Sequence, residues 1–420
     1  MERFLKLFAI VLLAFGIFIL SGCTEGTKPI AFKETENFKT LNHVTYPNLK
    51  AETNPVSDDV VAALKTFAVQ TVPNIFEERG KNHVYSPLSL YMALAMLLEG
   101  VSDEEARQEL EGLLGMEREE SRAAMKTVYE NNFYKNKNGT LRLANSIWFK
   151  KNYPIEEEYL RILAEDYYAE SYQTLFDSEG HQNIIDWINH YTENFLELTR
   201  DKFAVDANTV ILLLNTIYFH NKWKTAFEKD RTQAGDFHSE KGAVSVQYMR
   251  HSVDGKYKRY VGYGVAEDYF ENNASVTYIL PDEGVDVYNL LTPEVLISAL
   301  DPADKSTQKI DFSVPKFKYF SEFQLNEALN KLGVEEVFNS GSNSLELMSR
   351  GKGLFVSEVK QNAGIEFSEE GVKAAAVTGV IIKESAVESV NFRLDRPFIY
   401  IIKDAFGIPL FMGLVQNPAE

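Results

Sequence analysis

Glu369-Glu370-Gly371-Val372-Lys373-Ala374-Ala375-Ala376-Val377-Thr378-Gly379-Val380 lies about fifty residues before the end of a 420-residue chain. Two acids and a glycine open it, and small residues follow. No stripe of large apolar side chains at helical spacing is present to bury. Such a segment is either a slack surface loop or a strand held in reserve. Continued to Lys383, its alternation favours the strand. One face would carry Val372, Ala374, Ala376, Thr378, Val380 and Ile382, all uncharged. The other would carry Lys373, Ala375, Val377, Gly379, Ile381 and Lys383, with a lysine near each end. Successive residues of a strand point to opposite faces, so the first face can be buried while the second meets solvent or a sheet rim. Burying an apolar side chain contributes about 1.5–3 kcal/mol, whereas ordering costs about 1–2 kcal/mol per residue. These terms nearly cancel, so burial of this face alone does not decide between the two.

Outward from this stretch, the period of the chain changes once. Helical patterns come early: Asp58 caps a run through Phe67-Ala68, and Leu90–Leu98 is apolar nearly all round, as a buried helix must be. Pro154–Tyr168, Asn183–Leu198 and Leu325–Leu332 read as further helices. Strand patterns come later: Leu141–Phe149, Val244–Met249, Tyr257–Tyr260, Ala274–Leu280, Ile310–Phe317, Phe398–Ile402 and Leu410–Val415. Thr209–Phe219 is a continuous apolar run, the pattern of a strand covered on both faces. Asn215 in its middle is a buried amide that needs partners. Without regular βα alternation, the fold class is α+β rather than doubly wound.

Apolar residues at 45% and aromatics at 12% supply a large core, and 61 acids against 43 bases disfavour nucleic acid as a partner. Arg3 and Lys6 precede the apolar run Leu7–Leu20, which is short for a membrane span and reads as a targeting segment. Leu20-Ser21-Gly22-Cys23 follows and resembles the lipobox of prokaryotic lipoproteins, in which the cysteine takes the lipid. Cys23 is the only cysteine, so disulfides are excluded. The expected organisation is a signal peptide at 1–22, a polar linker at 23–57 holding the domain off the membrane, and one domain at 58–420. The expected location is extracytoplasmic, lipid-anchored to the cell membrane or secreted. The seven histidines are scattered, and no zinc-binding, phosphate-cradling or nucleophile-elbow pattern is present, so no metal, cofactor or catalytic residue is expected.

Several blocks together resemble the serpins, the serine protease inhibitor family. Ser86-Pro87-Leu88-Ser89 with the helix to Gly100 resembles the family's second-helix motif. Leu213–Phe219 with Lys222-Trp223 is similar to its central strand and the turn after it. Val314-Pro315-Lys316-Phe317, Arg396-Pro397-Phe398 and Leu410–Val415 match other strands, and the opening stretch looks like the hinge. The resemblance implies three sheets, eight or nine helices and an exposed reactive-centre loop. It implies no enzyme, but a monomeric suicide inhibitor whose cleaved loop inserts into the main sheet and traps a serine protease covalently.

By the same resemblance, Glu369, Glu370 and Gly371 form the pivot, and Val372, Lys373, Ala374, Ala375 and Ala376 the entering strand. Val372 stands where the family usually has threonine or serine. Fourteen residues beyond Gly371 places the scissile bond at Ser385-Ala386. Counting back from Leu394–Phe398 gives Ala386-Val387. Either puts a small residue in the protease's primary pocket, implying an elastase-like or subtilisin-like target. A slip to Lys383-Glu384 would suit a trypsin-like enzyme, and Glu384-Ser385 a glutamyl-specific one. Gln361 occupies the place of a family histidine that bonds the asparagine and serine holding the sheet shut, here Asn215 with Ser86 or Ser89. Glutamine can donate and accept but cannot titrate, so no histidine-type pH gate is expected there. The alternatives are a serpin-fold binding module without inhibition and an inhibitor of papain-like cysteine proteases.

Overall fold

The computed structural model describes residues 28–49, 54–301, 305–351, 353–371 and 389–420. Among them are eight α-helices: α1 (Asp58–Ile75), α2 (Pro87–Leu98), α3 (Glu104–Leu114), α4 (Arg118–Asn131), α5 (Glu157–Asp166), α6 (Ser178–Tyr191), α7 (Pro293–Leu300) and α8 (Asn326–Lys331). A seven-stranded sheet runs β1 (Phe38–Thr40), β5 (Ala169–Thr174), β4 (Gly139–Lys150), β6 (Ile211–Asn221), β13 (Glu358–Phe367), β12 (Phe317–Gln324), with β3 (Tyr134–Asn136) beside β4. A nine-stranded network runs β14 (Val390–Arg393), β11 (Ser306–Pro315), β8 (Gly242–Tyr260), β9 (Tyr263–Tyr269), β10 (Ser275–Pro281), β15 (Phe398–Lys403), β16 (Pro409–Val415), β2 (His83–Tyr85), with β7 (Gln233–Ser239) beside β8. The class is α+β, as expected. The three expected sheets form two hydrogen-bonded networks because β8 is 19 residues long. Its first part pairs with β7 and its last part with β9, so it carries one sheet into the next.

The main core fills the space between the two sheets and against α1 and α2. Every residue of α2 is buried. Pro87 stands at its first position, where a missing N–H costs nothing, and the Ser86 hydroxyl accepts from the Ser89 N–H at 3.3 Å. A second core lies on the other face of the seven-stranded sheet, where α6 sets Ile184, Trp187 and Ile188 against Trp148, Leu212 and Leu214. Helix α6 begins earlier than the periodicity suggests, at an Asp177 cap bonding the Glu179 and Gly180 N–H groups at 3.0 Å. It stops at Tyr191, because Glu193 and Asn194 take left-handed backbone conformations.

Part of the stretch read as a linker belongs to this fold. β1 pairs antiparallel with β5, and Phe32 and Phe38 pack their rings against Tyr172 and Trp148. The polar average of the stretch hides four apolar anchors, Ile30, Phe32, Phe38 and Tyr46, spaced so that each reaches the sheet or α6. Cys23 lies outside the described residues.

Candidate functional site

The organising feature is a slot between β6 and β13. These strands pair in parallel over four residues only, from Leu212↔Glu358 to Asn215↔Gln361. Beyond that point β6 continues to Asn221 on β4, and β13 continues to Phe367 on β12, with no ladder between them. Among the described residues, each strand therefore presents one unpaired edge to the other over residues 216–221 and 362–367. Unpaired edges are templates for another strand.

At the closed end, Asn145, Asn215 and Gln361 stand in register across β4, β6 and β13. The Gln361 side chain accepts from the Ser86 backbone N–H at 2.7 Å and donates to the Ser86 carbonyl at 2.9 Å. Both residues are buried. The Asn215 amide instead donates to the Asn145 side chain. Gln361 thus ties β13 to the start of α2 through backbone, and the expected contact between Gln361 and Asn215 is replaced by one between Asn215 and Asn145. Ser89 caps nothing through its hydroxyl, which has no partner among the described residues.

At the open end the hinge is fastened to the chain leaving β6. Gly371 bridges to Lys222 and to Ser368. Trp223 Nε1–H donates to the Ser368 carbonyl at 2.8 Å, its ring stacks on Phe270, and the Phe227 N–H donates to the Glu369 carbonyl at 2.9 Å. The Glu369 carboxylate holds Lys316 at 2.9 Å and accepts from the Thr232 hydroxyl at 3.0 Å. Burial pushes its pKa up, but these hydrogen bonds outweigh it and hold the carboxyl below its ordinary value. Glu370 pairs with Lys229. Gly371 has φ 142°, and a Cβ there would meet the Asn221 carbonyl oxygen at 2.2 Å. Only glycine fits this close backbone approach. Thr232, Lys229 and Asn145 were not singled out in the sequence, and Lys316 stood out only within a strand motif, since nothing local marks them as partners of the hinge or of the polar row.

Residues 372–388, including Val372, Lys373, Ala374, Ala375, Ala376, Ser385 and Ala386, lie outside the described residues. The chain leaves at Gly371 and returns at Ser389, leading into β14, which pairs in parallel with β11. Among the described residues, no three His, Cys, Asp or Glu side chains stand close enough to hold a metal ion. No helix among them is long and apolar enough to cross a membrane.

A family model described as serpin (serine protease inhibitor) matches residues 62–418. The chain belongs to the serpin family. Iripin-3 of Ixodes ricinus is 30% identical over 381 residues, covering 86% of this chain and 95% of that protein. Serpin-Z10 of Arabidopsis thaliana is 28% identical, covering 86% and 97%. Among solved structures, that of tengpin, a thermophilic serpin in the native state, superposes with a TM-score of 0.79 at 27% identity, covering 87% of this chain and 96% of that one. Residues 28–49, with β1 at the sheet edge, precede the residues that the family model matches. Members of the family are generally serine protease inhibitors, which act on target proteases.

Proposed function

We propose that this serpin is an irreversible inhibitor of an elastase-like or subtilisin-like serine protease, trapping it as an acyl-enzyme. The observation that carries the reading is the slot: two facing strand edges, unpaired among the described residues over six residues each, with the hinge fastened at their open end. In the proposed sequence the protease serine attacks the carbonyl carbon of Ser385. The bond to the Ala386 nitrogen breaks, the amine leaves with a proton, and an ester joins Ser385 to the enzyme. The freed segment from Val372 then enters the slot and carries the protease with it before water can cleave the ester. Insertion gains two new ladders, each bond contributing about 0.5–1.5 kcal/mol.

The protein is further proposed to act as a monomer outside the cytoplasm, held to a membrane by lipid on Cys23. The lipobox-like run before that residue supports this. The test is incubation with pancreatic elastase, subtilisin, trypsin, a glutamyl endopeptidase and papain, followed by denaturing electrophoresis and mass spectrometry of the released C-terminal fragment. The expected result is a denaturant-stable complex with elastase or subtilisin and a fragment beginning at Ala386 or Val387. Clean turnover of the loop by every protease, with no stable complex and no rise in melting temperature after cleavage, would sink the inhibitory reading.

A further inference from the structure

A second feature sits on the outer face of the same sheet, beside the slot but apart from the hinge. Between α6 and β6 the chain crosses this face, and its segment Leu196–Lys202 forms one wall of a cavity of about 290 Å³ over β12 and β13. The segment is fixed at both ends. Asn189 bonds the Leu198 N–H and carbonyl at 2.9 Å each, and Lys360 reaches the Ala204 carbonyl. Gly364 lets two apolar side chains meet above it, since a Cβ there would lie 2.5 Å from Phe320 and 2.7 Å from Leu196. Phe320 is nonetheless 45% exposed, one of few large apolar side chains left so among the described residues.

The floor is polar. Asn362 lines the cavity, is 4% exposed, and its side-chain nitrogen has no partner among the described residues. A buried donor without an acceptor is costly and points to something that fills the space. Glu322 stands opposite Asn362 in the β12–β13 register. Its side chain is exposed, as an edge carboxylate at the mouth of the cavity. Lys202 and Lys318 stand at the rim, against the exposed carboxylates of Glu197 and Glu322, and the Lys318 ammonium lies 5.6 Å from the Phe320 ring centre.

We propose that this cavity binds a small amphipathic carboxylate, its aromatic or short aliphatic body on Phe320 and Leu198 and its oxygens on Asn362, towards the lysines of the rim. The space suits on the order of ten to fifteen non-hydrogen atoms. A ligand there bridges the crossing segment to β12 and β13, and so braces the covering of the sheet next to the slot.

The probe is 4-phenylbutyrate, titrated into the full chain by calorimetry, with amide exchange of residues 196–205 followed by mass spectrometry. Saturable binding is expected with a dissociation constant of about 0.1–3 mM, together with at least threefold slower exchange of those amides. Phe320→Ser, at a half-exposed site, and Asn362→Leu, which removes the orphaned donor, are each expected to weaken binding at least tenfold without changing the fold by circular dichroism. No saturable binding up to about 30 mM would overturn the site, as would equal binding of 4-phenylbutanol or unchanged affinity in both variants. Binding with unaltered exchange of 196–205 would overturn the bracing. Neither readout needs a protease, so failure of the inhibitory reading is separately visible.

Discussion

Replacing Gln361 with leucine tests the closed end of the slot directly. The side chain makes two hydrogen bonds, both to the backbone of Ser86, at 2.7 and 2.9 Å, and all partners are buried. Leucine fills similar space but leaves a buried N–H and a buried C=O unpaired. Each orphaned group costs about 1–3 kcal/mol, so the variant loses about 2–6 kcal/mol. With an unfolding entropy of about 2.1 cal/mol/K per residue, a domain of this size loses about 3–8 °C in melting temperature. The same clasp ties β13 to α2, so its loss also frees β13 to part from β6. The variant is then expected to convert faster, at a temperature well below melting, to a form that no longer traps protease. Differential scanning calorimetry and residual inhibitory titre over time measure the two effects. A melting temperature within 1 °C of the wild type, with an unchanged conversion rate, would refute the argument that Gln361 holds the sheet through Ser86.

Gln361→His is expected to make conversion pH-dependent relative to the wild type. A neutral imidazole can accept from the Ser86 N–H, a protonated one cannot, so the rate ratio of variant to wild type should be larger at pH 5.5 than at pH 7.5. An equal ratio at both would argue against a gate at this position. Gly371→Ala places a Cβ against the Asn221 carbonyl oxygen at 2.2 Å and is expected to destabilise by about 1–3 kcal/mol, with a higher stoichiometry of inhibition in active-site titrations. Glu369 has its pKa lowered in the folded state, so its contribution is present above its unfolded value of about 4.5 and is lost as pH falls through the folded one. The melting-temperature difference between wild type and Glu369→Gln should therefore shrink from about 1–2 °C at pH 7 towards zero at pH 3. Phe38→Ala removes a ring that is 1% exposed, in a stretch preceding the family match. A loss of about 3–5 kcal/mol is expected by calorimetry, and a loss below 1 kcal/mol would show that β1 is merely laid on the sheet.

The parts of this fold that were legible are those where burial is one-sided or complete. Thr209–Phe219 could be read because β6 is covered by α2 on one face and α6 on the other, leaving one long apolar run. β13 could not, although it borders the slot. Its Lys360, Gln361 and Asn362 are buried polar side chains, and three polar letters in a row erase a strand pattern. β12 was missed because its outer face carries Lys318, Phe320 and Glu322, half exposed and mixed in character. For the site, Gly371 and its two acids stood out locally, whereas Lys316, Thr232 and Lys229 come from other parts of the chain and acquire meaning only where the strands converge. The N-terminal stretch was misjudged because four anchors in a polar background leave no periodicity, yet each meets a prepared aromatic surface.

The geometry also orders the events of opening. The slot is shut below by a four-residue ladder and the Gln361 clasp, and above by the bridge from Gly371 to Lys222. Between these lie strand edges that are already unpaired. A strand arriving from Val372 enters from the top, where it must displace one bridge and the two contacts of Trp223, rather than unzip the ladder from below. Its first residues then find free edges on both sides and gain hydrogen bonds before the lower ladder is disturbed. In the proposed mechanism the barrier therefore belongs to the hinge, and the energy released later belongs to the edges. Substitutions at Glu369, Gly371 and Trp223 should act mainly on how fast insertion begins, and substitutions at Gln361 and Asn215 on how far it runs and how readily it begins without cleavage.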